Sequence, residues 1–67
     1  MNRNEQIKTL EANLTDEQAK FLSLTDWEPL PTQEIFDEWL GEFLTAWDSD
    51  EAAMEKALTH LDEMIAH

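Results

Sequence analysis

The sequence predicts an all-α fold, a small bundle of three to four short helices whose last two form an antiparallel hairpin. Three observations lead there. Apolar residues recur at the helical period, and no stretch alternates with the two-residue period of a strand. Capping signals stand at Thr15, Thr32 and Asp48, each ahead of an apolar-periodic run. The prolines, Pro29 and Pro31, fall close together and divide the chain.

At the start, Asn2 or Asn4 is placed to cap a first helix. Ile7, Leu10 and Leu14 follow as a narrow apolar stripe. Thr15 with Gln18 three residues on fits a capping box, and Asp16 and Glu17 suit the positive end of a helix. A second helix is therefore expected from Thr15 to about Leu24, with Phe21 and Leu22 turned to the core. The competing arrangement is one continuous helix, because residues 7, 10, 14, 21 and 24 keep heptad register through Glu17. The capping box favours a break near Asn13 to Thr15.

Thr25 to Pro31 is a connection. Its prolines push Glu28 and Leu30 into extended conformations. Trp27 and Leu30 are expected to fold back onto the core. Trp27 as an exposed partner anchor is the competing role, since tryptophan is enriched at interface hot spots.

The central helix runs from Thr32 to Trp47. At 100° per residue, Ile35, Phe36, Trp39, Leu40, Phe43, Leu44, Ala46 and Trp47 share one half of it, and Glu34, Asp37, Glu38, Glu42, Thr45 and Asp48 the other. Trp39, Leu40, Phe43 and Leu44 are expected to be buried. Gly41 lies amid the acidic half, where glycine costs about 1 kcal/mol relative to alanine. It marks a bend, a close backbone approach or simply a tolerated surface position, and the last is the simplest. Asp48 with Glu51 then resembles a capping box for the last helix. There Ala53, Met54, Ala57, Leu58, Leu61, Met64 and Ile65 fill an apolar arc of about 140°.

A chain of 67 residues predicts one domain, a single acidic helical domain over residues 1–67. Such a chain buries only about 60% of the surface its unfolded form exposes. With no cysteine, neither a disulfide nor a thiolate metal site can reinforce it. Neither a signal peptide nor a membrane-spanning run is apparent, so a cytoplasmic location is expected.

Charge is the most informative feature. Sixteen acids oppose four Lys and Arg, for a formal net charge of −12. Such a balance disfavours nucleic acid and anionic membranes as direct partners and favours a protein with a basic surface. A hydrophobic content of 42%, with three Trp and three Phe, argues against disorder as its explanation. From Phe21 to Glu55 there are ten acids and no Lys, Arg or His. Glu34, Asp37, Glu38 and Glu42, extended by Asp48, Glu51 and Glu55, are the expected partner-binding residues. A row of carboxylates on a rigid helix imitates part of the charge pattern of a DNA strand. The plainer meaning of such a run is a solvated face kept for solubility.

Other chemistries have little footing. Asp48-Ser49-Asp50-Glu51 lacks the glycine of an EF-hand loop. His60, Glu63 and His67 have a weak zinc-like spacing, but His67 ends the chain. No phosphate loop or nucleophile motif occurs. No metal, cofactor or catalytic residue is expected. The expectation is a small acidic inhibitor or regulator, a nucleic-acid mimic occupying the basic surface of a protein such as a nucleic-acid-binding protein. Phage-type factors acting against a host or its defences are analogous in size and charge alone. The alternative is a helical structural or accessory subunit that forms a homodimer, or completes a larger complex, through its aromatic apolar face.

Overall fold

After the first, each helix begins where a side chain supplies an acceptor for N–H groups that have no partner inside the helix. The computed structural model describes residues 3–65. Within them are four helices and no strand: α1 (Arg3–Asn13), α2 (Asp16–Leu24), α3 (Gln33–Trp47) and α4 (Glu51–Ile65). Thr15 Oγ1 accepts from the Gln18 N–H at 3.2 Å, and Gln18 Oε1 accepts from the Thr15 N–H at 2.9 Å. This complete capping box separates α1 from α2 and replaces the single long helix. The Thr25 hydroxyl donates to the Leu22 carbonyl at 2.7 Å and helps close α2. Thr32 Oγ1 accepts from the Ile35 N–H at 3.1 Å and caps α3.

Three local expectations are corrected. Asn4 lies inside α1 and is not its cap, while Asn2 falls outside the described residues. Asp48 ends α3. The acceptor for α4 is instead Asp50, whose Oδ1 takes the Ala53 N–H at 2.7 Å. Both aspartates precede the same helix, and Asp50 has the position directly before Glu51. Leu44 is only half-buried, at the edge of the core, whereas Trp39, Leu40 and Phe43 are buried.

The aromatic residues form one connected spine. Along α3, Phe36 meets Trp39 at 6.2 Å between ring centroids, Trp39 meets Phe43 at 5.3 Å, and Phe43 meets Trp47 at 5.8 Å. Phe21 of α2 stands edge-on to Trp47 at 5.3 Å. Trp27 of the connection packs on Phe36 at 6.1 Å, and its burial settles its place in the core. Helix α4 packs against α3, and the buried Trp39 Nε1 donates to the Ala57 carbonyl at 3.1 Å. Ala57 has no exposed surface, as so close an approach requires.

The polar element of the interior is Gln6. It is fully buried, and its amide grips the backbone of Leu30 in both directions. Nε2 donates to the Leu30 carbonyl at 2.7 Å, and Oε1 accepts from the Leu30 N–H at 2.9 Å. One turn earlier, the Arg3 guanidinium lies over the Trp27 ring at 5.2 Å from its centroid. The first turns of α1 thus hold down the extended connection, whose backbone has no helix or sheet to satisfy it.

Truncating Gln6 should leave two backbone groups of Leu30 buried without partners, each costing about 1–3 kcal/mol. Gln6→Ala is therefore expected to lower the unfolding free energy by about 2–6 kcal/mol in urea titrations followed by tryptophan fluorescence. An unchanged midpoint would show that the clamp does not hold the connection.

Candidate protein-binding surface

A helix that commits one face to a core must show the other to water. On α3, Glu34, Asp37, Glu38 and Glu42 are all exposed and lie along that outer face. Asp37 accepts from Gln33 Nε2 at 2.7 Å, an i, i+4 contact that orients its carboxylate. Glu38 borders a hollow shared with Pro31, Ile35 and Met64. Glu42 stands 3.9 Å from His60 Nε2, with both side chains more than two-fifths exposed. It also shares a shallow hollow with Gly41, Ala53 and Lys56.

The seven expected residues therefore divide. Glu34, Asp37, Glu38 and Glu42 form one row on α3. Asp48 sits at the α3 C-terminus, and Glu51 opens α4. Glu51 and Glu55 line a separate hollow with Phe21, Met54 and Leu58. All seven are exposed. The bare acidic tract seen along the sequence is also bounded in space, because Lys56 and His60 of α4 face the Glu42 end of the row. Those two bases stand just beyond the tract in sequence, and helix packing folds them back against it.

Among the described residues, no three of His, Asp and Glu converge where a metal ion could sit. His67 falls outside the described residues.

Gly41 is exposed, and a Cβ built on it would meet nothing within 4 Å. Its φ is not positive, so no turn requires glycine there. No close backbone approach within the chain accounts for it. It stands as an open surface position in the middle of the row.

No protein-family model matches the chain, and no curated protein or solved structure matches it.

Gly41→Ala is expected to raise stability by about 1 kcal/mol, because the new methyl enters open solvent and the helical backbone loses less entropy on folding. Thermal unfolding followed by circular dichroism checks it, and a lowered melting temperature would reveal strain at this position.

Proposed function

We propose that this chain is a small acidic protein-binding regulator or inhibitor that occupies a basic surface of a target protein, in the manner of a nucleic-acid mimic. The observation that supports this most is the exposed row on α3. From Glu34 to Glu42 the helix rises about 12 Å. Four carboxylates over that length stand at about one per 3–4 Å, close to the one phosphate per about 3.4 Å of axis on a DNA strand. The row is carried by a helix whose other face is held by Phe36, Trp39 and Phe43, all without exposed surface. A rigid support keeps the spacing of the charges, which a flexible acidic tail does not.

Energetics favour an association role. Like charges at i, i+4 destabilise a helix by about 0.2–0.5 kcal/mol per pair. Glu34 with Glu38, and Glu38 with Glu42, are two such pairs. Alternating signs would give a soluble surface without that cost. Asp48, Glu51 and Glu55 carry the negative field on to the start of α4. In this arrangement α3 and α4 run as an antiparallel hairpin. Its support is the short link and the pairs that share hollows or contacts: Ile35 with Met64, Glu42 with His60, and Thr45 with Ala53. Of the aromatic residues that an accessory-subunit role would use, Phe36, Trp39 and Phe43 are buried within the chain, whereas Phe21 and Trp47 are half-buried.

A displacement experiment tests the reading. Lysate of the source cell is bound to DNA-cellulose, and the column is washed with this protein or with the Glu34→Gln, Asp37→Asn, Glu38→Gln, Glu42→Gln variant. The wild-type protein is expected to release a specific DNA-binding protein, less so as salt rises. The variant should fold at least as stably and release at least about tenfold less. Equal release by both proteins would remove the acidic row from the function. Loss of binding to a captured target without any competition against DNA would instead indicate a regulator that docks away from the nucleic-acid site.

A further inference from the structure

We propose that the seam between α2 and α4 is a second docking surface, a groove that seats a short basic amphipathic helix of a partner protein. Two hollows meet there at Leu58. One, of about 450 Å³, is lined by Phe21, Glu51, Met54, Glu55 and Leu58. The other, of about 320 Å³, is lined by Thr25, Asp26, Leu58, Leu61 and Asp62. Phe21, Met54 and Leu58 are half-buried and packed against the core, so the floor is both apolar and firm. Leu24, one turn beyond Phe21 on α2, is 78% exposed. A single exposed leucine carries no meaning alone. It lines neither hollow, and the floor is made by the half-buried residues alone.

The rim identifies the occupant. Glu51, Glu55 and Asp62 run along α4, and Asp26 faces them from the connection, all exposed. No Lys, Arg or His lines either hollow. A second copy of this chain would bring a net charge of −12 against that rim. Nucleic acid and anionic lipid would bring phosphates. All three are repelled, whereas a helix with an apolar stripe flanked by Lys and Arg matches floor and rim together. From Glu51 to Asp62 the groove follows α4 for about 16 Å, room for about three turns of a bound helix. Such a ligand would place two or three apolar side chains at i, i+3 or i+4, and i+7. This surface uses α2 and α4, shares none of the four α3 carboxylates, and stands whether or not the acidic row imitates DNA.

The test uses a fluorescein-labelled peptide of about sixteen residues, with leucines at that spacing on a background of Lys, Arg and Ala. A control peptide has the same composition with its leucines spread around the helix. The amphipathic peptide is expected to bind the wild-type protein and to shift backbone amide resonances at Phe21, Met54 and Leu58. The control peptide should bind at least about tenfold more weakly. Glu51→Gln, Glu55→Gln, Asp62→Asn alters exposed side chains only; it should keep the fold, weaken binding about tenfold and flatten its salt dependence. The quadruple α3 variant should bind the peptide as the wild type does, which separates this groove from the row. Absence of binding, equal affinity for both peptides, or shifts confined to residues 34–42 would overturn the proposal. So would concentration-dependent shifts at Met54 and Leu58 without peptide, which would assign the groove to a second copy.

Discussion

The contacts of Phe36, Trp39 and Phe43 along α3 are what the other elements attach to. Each ring is fully shielded, and each touches the next. Aromatic side chains bury about 150–250 Å² apiece, more than any aliphatic residue supplies from one position. A chain of 67 residues without cysteine needs that density. The spine also sets the attachment points. Helix α4 is fixed by the indole hydrogen bond to Ala57, α2 by Phe21 on Trp47, and the connection by Trp27 on Phe36. A radius of gyration of 11.0 Å is close to the value of about 11 Å for a compact chain of this length.

This core explains how so acidic a surface is tolerated. Burying one large apolar side chain contributes about 1.5–3 kcal/mol. A like-charge pair on a helix costs about 0.2–0.5 kcal/mol. Burial of one ring therefore offsets several repulsive pairs. By the same comparison, the like-charged neighbours on α3 and α4 add no stability through their pairing. Their concentration on one side of α3 and along the rim of α4 has to be accounted for by solubility or by association. Lys56 and His60 sharpen the distinction. The Lys56 ammonium partly compensates the Glu42 end of the row and leaves Glu34, Asp37 and Glu38 as its more negative part.

Local patterns were legible and relative rotations were not. The breaks at Thr15 and Thr32 are written in side chains that cap within three residues, so one-dimensional spacing suffices to find them. The burial of Trp39 and Phe43 follows from period alone. Gln6 was invisible because its partner, Leu30, lies twenty-four residues away and the contact is to backbone, which carries no sequence signature. The division of the acidic residues escaped for a related reason. Helical period says which residues share a face of α4, but not how α4 is rolled against α3. That roll sends Glu51 and Glu55 towards Phe21 and turns Lys56 and His60 towards Glu42.

The two proposed surfaces act over different ranges, and this decides how they would combine. Charges on the α3 row are felt to about a Debye length, roughly 8 Å at physiological ionic strength. They raise the rate of encounter with any basic surface and discriminate weakly among such surfaces. The floor of Phe21, Met54 and Leu58 acts only at contact, where burying apolar area slows dissociation. A partner that is merely basic would engage the row and leave readily. One that also presents an apolar stripe would gain residence time from the groove. Selectivity would then reside in the half-buried residues of α2 and α4, not in the residues carrying most of the charge.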